Sequence, residues 1–284
     1  MTPSDQSLLG LSAANTDVYA DERVQRTYER DDAWVCLGEK RTMQHVAPLV
    51  RGTPILDVGV GGGRTATWLQ LLSDDYVAID NSPEMVALCK RREPQLDVRV
   101  ADARNLAEFD DRSFGFVLFS FNGVDLVGHR DRAVVLAELW RVLRPGGIVV
   151  LSTLNRDGMS FGEVPWQLHR PHTPHSFDVR RVVKTLARVV CMPGAEVRRY
   201  RNWWKHAHRA EDHGEWSIYP LAAHGFQLMA HFSTLNAARN EVRSAGLDLV
   251  ATYDGGSGVS ISDDTVESRA DCFYLVGRRP SVAS

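Results

Sequence analysis

The sequence lacks several features that would assign it to particular classes of protein. Its four cysteines among 284 residues form no C-x-x-C pair, which argues against a disulfide scaffold or a zinc site built from paired cysteines. No apolar run approaches the ~20 residues that a membrane helix needs, and residues 1–15 show no basic start followed by an apolar stretch. We therefore expect a cytoplasmic protein with reduced thiols, no signal peptide and no membrane partner.

A strong net charge is also absent. The formal net charge is −3, whereas a nucleic-acid partner needs a basic surface, so the charge balance argues against such a partner. The hydrophobic fraction of 44% and the charged fraction of 24% are those of an ordinary globular protein. The length fits one large domain, or one domain with a substantial insertion.

The most informative segment is a glycine-rich loop between an apolar run and a helical pattern. Residues 55–58 read Ile-Leu-Asp-Val, and glycines follow at positions 59, 61 and 63. This pattern predicts a buried parallel strand, a tight loop and a helix, with a ligand at the carboxyl end of the strand. The loop also satisfies the dinucleotide fingerprint G-x-G-x-x-G/A. Asp57 suits a cationic ligand such as S-adenosylmethionine (SAM) better than a pyrophosphate, but the loop alone leaves both ligands open.

Further apolar runs alternate with helical patterns along the next hundred residues. Residues 77–80 and 98–102 each form a strand that ends in an acid, and an acid after the second strand can accept both ribose hydroxyls. Residues 114–121 form a fourth strand, and residues 143–151 combine a Leu-Arg-Pro-Gly-Gly turn with a fifth. Helices are predicted over residues 63–72, 82–92 and 129–143. The alternation predicts a doubly wound sheet.

These motifs, in this order and spacing, resemble those of the class I SAM-dependent methyltransferases, closely over residues 40–155 and loosely over residues 233–280. The resemblance implies an α/β, Rossmann-like, doubly wound seven-stranded sheet that is mostly parallel, with an antiparallel last strand. It implies transfer of a methyl group from SAM to an oxygen or nitrogen of a small organic acceptor, leaving S-adenosylhomocysteine. The alternatives are a non-catalytic SAM-binding protein or an RNA-methylating protein of the same fold, and an NAD-dependent oxidoreductase.

The resemblance also predicts three parts. Residues 1–50 form an N-terminal helical lid, and residues 51–154 and 233–284 form the SAM-binding core. Residues 155–232 break the alternation and contain eight of the ten histidines, so they are predicted to form an inserted α+β cap that binds the acceptor. The alternative is a structural or dimer-forming insertion, which leaves a homodimer open.

Local patterns predict elements in the second half of the chain. In the insertion they predict a helix over residues 178–190 and strands over residues 197–204 and 226–232. After it they predict a helix over 236–245, a strand over 247–253 and the antiparallel last strand over 272–276.

Position in this fold assigns the expected SAM contacts. Asp57 acts towards the ammonium group through the loop geometry or a water, Asp80 holds the ribose, and Asp102 with the N–H of Ala103 reads the adenine edge. Gly59 and Gly61 give the ligand access to the backbone. The remaining expected contacts are Asn81 beside the ribose, Met85 on the adenine face, the Ser120 carbonyl at the ammonium group, and Tyr19 or Tyr28 from the lid.

The residues that bind or deprotonate the acceptor are harder to predict from the sequence, because a base is needed only where the acceptor must lose a proton. His231, where the insertion rejoins the core, is the first candidate base. The second is His172, in a proline-containing loop with His169 and His175. The alternatives for these three are an exposed loop without a role or a metal site, and the alternative for His231 is a structural role.

Two related chemistries are not expected. Residues 119–125 carry Phe-Asn-Gly where DNA and protein-glutamine amino methyltransferases carry a Pro-Pro-Tyr type motif, so an amide or exocyclic amine handled in that way is not expected. The chain also lacks the aspartate and asparagine spacing of the metal-dependent catechol methyltransferases. No metal is therefore expected.

Overall fold

A ten-stranded sheet packed on both faces forms the core of the computed structural model, which describes residues 14–28, 35–166, 183 and 190–281. Residues 14–19 are helical. The elements that follow are α1 (Glu22–Tyr28), α2 (Leu37–Val50), β1 (Ile55–Val58), α3 (Ala66–Gln70), β2 (Tyr76–Asp80), α4 (Pro83–Arg92), β3 (Asp97–Val100), β4 (Phe114–Phe119), α5 (His129–Val142), β5 (Leu143–Asn155), α6 (Pro193–Ala207), β6 (Glu211–Asp212), β7 (Trp216–Leu221), β8 (Leu228–Ser233), α7 (Leu235–Ser244), β9 (Asp248–Asp254) and β10 (Cys272–Arg278).

Seven of these strands form the predicted doubly wound sheet, in the spatial order β3-β2-β1-β4-β5-β10-β9. The first five are mutually parallel, whereas β10 runs antiparallel to both β5 and β9. The predicted fold class is therefore confirmed, including the antiparallel last strand. Because β1, β2 and β4 are parallel neighbours, their carboxyl ends meet at one edge, where a ligand is expected.

Two apolar layers cover the two faces of the sheet. On one face, Val135 and Leu139 of α5 and Val242 of α7 pack on the strands. On the other face, Met43 and Val46 of α2 pack there, together with apolar residues of α3 and α4. Burial of these helix stripes at 3.6-residue spacing holds the strand ends in fixed positions around the ligand edge.

The insertion extends the same sheet instead of forming a separate layer. Strand β5 outlasts β4, since the last β4 pair joins Phe119 to Leu151, and β5 continues to Asn155. Leu154 pairs with β10 on one side and with Phe232 of β8 on the other, so β8 occupies the edge of β5 that β4 leaves unpaired. Strands β7 and β6 follow outward, which raises the strand count from seven to ten and places the insertion directly above the ligand edge.

Local predictions fail in two places. Residues 197–204 lie within helix α6, so their assignment as a strand is wrong; Pro193 begins this helix, and Val197, Tyr200 and Trp204 recur at helical spacing. The Pro-Gly-Gly turn lies inside β5, where Gly146 at φ +79° shifts the register between β4 and β5. The predicted helix over residues 178–190 falls largely outside the described residues.

The remaining predicted helices and strands are close to the observed ones. Ser82 caps α4 through its hydroxyl, which accepts a hydrogen bond from the Met85 backbone N–H, as the Ser-Pro-Glu start predicts. Across the described residues, no helix combines the length and apolar character needed to cross a bilayer.

Candidate functional site

A cavity of about 1110 Å³ opens at the carboxyl ends of β1, β2 and β4. Its walls come from the glycine loop, from the helical residues near the N-terminus and from the turn between β7 and β8. Every SAM contact that the sequence predicts lines this one cavity, namely Tyr19, Tyr28, Asp57, Gly59, Gly61, Asp80, Asn81, Met85, Asp102, Ala103 and Ser120.

The glycine loop is closely packed against its neighbours. Gly61 and Gly63 adopt φ values of +53° and +85°, which side chains other than glycine rarely adopt. A Cβ atom at Gly63 would lie 2.9 Å from the Cys89 Sγ atom. A side chain at these positions would be strained or would clash, so the loop needs glycine. The backbone of residues 59–63 lines the cavity.

Asp80 joins the glycine loop to the end of β2. Its Oδ2 atom accepts a hydrogen bond from the Gly61 N–H, and its Oδ1 atom accepts one from the Ser82 N–H, both at 2.9 Å. Burial raises the pKa of Asp80, and these two backbone donors oppose that shift. Asp80 therefore shapes the loop as well as lining the cavity, and its contact with a ribose stays a prediction.

Asp57 is buried at the end of β1 and titrates near neutrality. Its Oδ2 atom accepts hydrogen bonds from the Thr65 hydroxyl at 2.7 Å and the Tyr76 hydroxyl at 2.9 Å. Burial raises the pKa of Asp57 to about 6, against the lowering effect of these two hydrogen bonds. A cation bound beside Asp57 would favour its ionised form.

Asp102 has a protein partner in addition to its place on the cavity wall. Its carboxylate accepts hydrogen bonds from the Arg104 guanidinium, the shortest at 2.6 Å, and from the Arg104 backbone N–H at 2.9 Å. Arg104 also reaches Asp131 at 2.7 Å. The adenine-reading role of Asp102 stays a prediction, and any ligand must share its carboxylate with Arg104.

A buried ion pair borders the cavity and was not predicted from the sequence. Arg64 donates to both carboxylate oxygens of Glu39, at 2.6 and 2.8 Å, and the Ser120 hydroxyl donates to Glu39 at 2.6 Å. The Glu39 side chain is fully buried, whereas that of Arg64 keeps 22% of its surface exposed. The Arg64 guanidinium also lies 4.9 Å from the centre of the Phe121 ring, so a cation borders the cavity near the end of β4.

The chain is strained where it leaves β4. Phe121 and Asn122 both adopt left-handed φ values, +59° and +63°, a conformation that costs energy outside glycine and that occurs often at functional sites. The Asn122 N–H donates to the Ser152 hydroxyl at 2.6 Å, which helps to hold this turn against the protruding end of β5.

Helical residues near the N-terminus cover the cavity and are tied to the rest of the chain by hydrogen bonds. Asn15 donates to the carbonyls of Leu126 and Met229, both at 2.9 Å, and accepts from the Met229 N–H at 3.2 Å. The Asn81 side chain donates to the Thr16 hydroxyl at 3.0 Å. Asn15 thus connects this segment to strand β8 of the insertion.

His224 is the insertion's histidine that reaches the cavity among the described residues. Its Nε2 atom lies 3.3 Å from the Tyr28 hydroxyl, and the two rings stack with their centres 5.8 Å apart. Its backbone adopts a left-handed φ of +49° in the turn between β7 and β8. Burial lowers the pKa of His224, which keeps the imidazole neutral and able to accept a proton.

His231 lies elsewhere than expected. It is fully buried on β8 and does not line the cavity. Its ring contacts His129, with 2.9 Å between His231 Nε2 and His129 Nδ1, and its Nδ1 atom lies 3.3 Å from the Ser233 hydroxyl. The expectation that His231 faces the cavity rim is therefore corrected, because its position on β8 points it towards α5. His172, like His169 and His175, lies outside the described residues.

Comparisons with known proteins agree with this geometry. Residues 56–151 match the family model described as a methyltransferase domain. A ubiquinone biosynthesis O-methyltransferase from Xanthomonas oryzae pv. oryzae is 33% identical over 115 residues, which are 39% of this chain and 46% of that protein. A demethylmenaquinone methyltransferase from Renibacterium salmoninarum is 36% identical over 113 residues, which are 40% of this chain and 46% of that protein. The match thus spans about half the length of these curated relatives.

A solved structure extends the likeness to the whole fold. The 1,6-didemethyltoxoflavin-N1-methyltransferase of Burkholderia thailandensis, crystallised with 1,6-didemethyltoxoflavin and S-adenosylhomocysteine, superposes with a TM-score of 0.56 at 15% identity. The superposition covers 99% of this chain and 92% of that one. With the sheet order, the glycine loop and the acids at the strand ends, these matches identify residues 56–151 as a methyltransferase domain of the class I SAM-dependent family.

Proposed function

We propose that the protein transfers a methyl group from SAM to a small organic acceptor. The observation that carries this proposal is the convergence of the glycine loop and the acids of three successive strands on one cavity. The cavity of about 1110 Å³ exceeds the ~300–1,000 Å³ of an ordinary ligand pocket, which leaves space for a second molecule beside the donor.

The charges around the cavity fit SAM better than a dinucleotide. In this proposal Asp57 favours the ammonium group of a methionine moiety. The Arg64 guanidinium, which Glu39 binds through both oxygens, faces the carboxylate of that moiety with the 22% of its side chain that stays exposed. Asp80 offers carboxylate oxygens to a ribose diol, and the buried Met85 offers an apolar wall to adenine. A pyrophosphate would instead meet the Asp57 carboxylate beside the loop, which disfavours the NAD-dependent alternative.

The chain's own residues would position the acceptor and exclude water. When bound, SAM supplies a methyl group on a sulfonium, which is a good leaving group without acid catalysis. Of the predicted lid over residues 1–50, residues 14–28 act as the lid in this proposal, with Asn15 fixing them to β8. Helix α2 packs on a face of the sheet and belongs to the core. Residues 155–232 act as the acceptor-binding cap, and their His224 accepts the proton that a hydroxyl or ring N–H must lose.

The aromatic lining favours a planar acceptor. Tyr19, Tyr28, Phe119 and Phe121 all border the cavity, and rings of this kind stack on aromatic ligands. The curated relatives are named for ubiquinone biosynthesis and for demethylmenaquinone, and the superposed enzyme for 1,6-didemethyltoxoflavin. We therefore propose an aromatic acceptor that carries a hydroxyl or a ring nitrogen.

Binding of S-adenosylhomocysteine tests the donor site directly. We expect calorimetry to detect binding to the wild-type protein, and Asp80→Ala to weaken it by about 1.5–3 kcal/mol, the usual contribution of hydrogen bonds to a charged group. Asp75→Ala removes an exposed acid from the opposite end of β2 and should leave affinity unchanged. A wild-type protein that binds NADH but not S-adenosylhomocysteine would refute the proposed function.

Asp57 predicts a pH dependence of that affinity. Its pKa of about 6 in the free protein means that only about one-tenth of the molecules carry an ionised Asp57 at pH 5. A bound ammonium group favours the ionised form, so affinity should fall as pH falls through 6. We expect S-adenosylhomocysteine to bind about tenfold more tightly at pH 7.5 than at pH 5, and Asp57→Asn to remove this dependence. Parallel pH profiles in both proteins would contradict this role.

A further inference from the structure

A cluster of metal-ligand side chains lies outside the cavity. Among the described residues, His129, His231 and Glu241 bring one ligand atom each to within 4.8 Å of one another. They come from the first residue of α5, from β8 of the insertion and from α7 of the core. None of the three lines the cavity, so the cluster is separate from the proposed donor and acceptor sites.

The donor set matches a transition metal. Two imidazole nitrogens and a carboxylate oxygen suit Zn²⁺, which binds three protein ligands and a water in many tetrahedral sites. Bonds of about 2.0–2.1 Å place neighbouring ligand atoms about 3.3 Å apart in such a site. The His129 and His231 nitrogens are 2.9 Å apart and would separate by a few tenths of an ångström. The Glu241 oxygen lies within 4.8 Å of them and would approach to complete the site.

The other polar atoms around the cluster are arranged to support ligands. The Ser233 hydroxyl lies 3.3 Å from His231 Nδ1 and can accept a hydrogen bond from it, which selects the tautomer whose Nε2 lone pair faces His129. The neutral imidazole that now donates in the His129–His231 contact would move its proton to its other nitrogen. Zinc binding would therefore need no net loss of a proton from the two rings.

The positive charge of Arg132 would repel a metal ion in this cluster, but the carboxylates bound to Arg132 offset much of that charge. Its Nε and Nη2 atoms donate to the two oxygens of the Glu241 carboxylate, at 3.0 Å and 2.6 Å, and its Nη1 atom donates to Asp125 at 2.6 Å. Two carboxylates thus face this one guanidinium. A carboxylate has about four acceptor positions, so Glu241 can keep its contact with Arg132 while one oxygen binds a metal.

We propose that His129, His231 and Glu241 bind Zn²⁺, with a water in the fourth position, in a site that joins the inserted strand β8 to helices α5 and α7. The site would hold the insertion, and with it the turn that carries His224, in a fixed position above the sheet. Trp216, whose ring stacks on His129 with centres 3.8 Å apart, would shield the site from one side.

Titration of the chelator-treated full-length protein with zinc tests this proposal. We expect one Zn²⁺ to bind per chain and to raise the melting temperature, and His129→Gln to weaken binding by about 100-fold or more, since even outer-shell changes cost 10–100-fold. Substitution by Co²⁺ should give the visible absorption of a tetrahedral site in the wild type and not in His129→Gln. These measurements need neither SAM nor an acceptor.

A control distinguishes this site from incidental zinc binding by other histidines. His213 stacks on the opposite side of Trp216, 3.9 Å between ring centres, but lies outside the cluster, so His213→Gln should keep the wild-type affinity. Glu241→Gln provides a second ligand variant in case one substitution impairs folding. If the wild type binds no zinc, or if His129→Gln and His213→Gln bind it equally well, the site does not exist.

Discussion

Replacing Arg132 with methionine is expected to lower the free energy of unfolding by about 3–5 kcal/mol, the cost of leaving buried charges without their partner. The Arg132 side chain is only 4% exposed, and the Asp125 side chain is fully buried. Asp125 also accepts hydrogen bonds from the Thr153 hydroxyl at 2.6 Å and the Leu154 N–H at 2.7 Å. Burial raises the pKa of Asp125 to about 7 even with Arg132 present. Without the guanidinium, ionising this buried carboxylate would cost still more free energy.

The network also explains why the effect should extend beyond local stability. Arg132 donates to the Val124 carbonyl at 3.1 Å, and Asp125 fixes the end of β5 where β8 joins the sheet. The substitution should therefore loosen the turn after β4 and the insertion together.

Urea unfolding in the presence of a chelator measures this prediction without a contribution from zinc. Arg99→Met is the matched control, because Arg99 pairs with Asp97 and Glu108 at the surface, with 41% of its side chain exposed. Exposed pairs of this kind contribute about 0–1 kcal/mol. Equal losses in Arg132→Met and Arg99→Met would contradict the view that burial makes the Arg132 network important.

The core of the fold was predictable because each of its strands has a local pattern. The apolar run before Asp57, the glycines that follow it and the acids at Asp80 and Asp102 are each recognised from a few neighbouring residues. The attachment of β8 to β5 was not predictable in this way. It depends on β5 extending beyond the end of β4. This difference in length between two segments distant in sequence produces no motif in either segment.

The same distinction between local and long-range signals applies to the candidate site. The residues predicted at the strand ends all line one cavity, because parallel strands bring their carboxyl ends together. Their contacts with SAM stay predictions. Glu39 and Arg64, 25 residues apart, and Tyr28 and His224, 196 residues apart, meet only through the tertiary fold. Arg64 directly after the glycine loop is a weak sequence hint for the ion pair, whereas His224 in its Ala-His-Gly turn gives no hint of reaching the cavity.

The misplacement of His231 has a specific cause. Its position where the insertion rejoins the core suggested the cavity rim, but side chains on a strand alternate between the two faces. On β8 the His231 side chain contacts His129 at the start of α5 and does not line the cavity. The sequence alone cannot assign these faces, because every residue of β8 is buried.

Turnover of the His224→Gln variant is expected to fall by about 10²-fold or more, the usual contribution of a general base. Glutamine keeps a polar group beside the Tyr28 hydroxyl but cannot accept a proton from the acceptor. S-adenosylhomocysteine affinity should change little, because the proposed donor contacts lie on the glycine loop and the strand ends. Formation of S-adenosylhomocysteine from SAM, with the best phenolic acceptor found for the wild type, provides the measurement.

The pH profile separates a base from a structural histidine. Burial lowers the pKa of His224, so it is neutral at pH 7. At saturating SAM, which removes the effect of Asp57 on donor affinity, wild-type kcat/KM for the acceptor should decline as pH falls through that lowered pKa. His224→Gln should lack this decline, whereas His231→Gln, which alters a buried contact away from the cavity, should retain it while losing stability. If His231→Gln removes the decline and His224→Gln keeps wild-type turnover, then the base is His231, and the cavity described here must open towards β8 during catalysis.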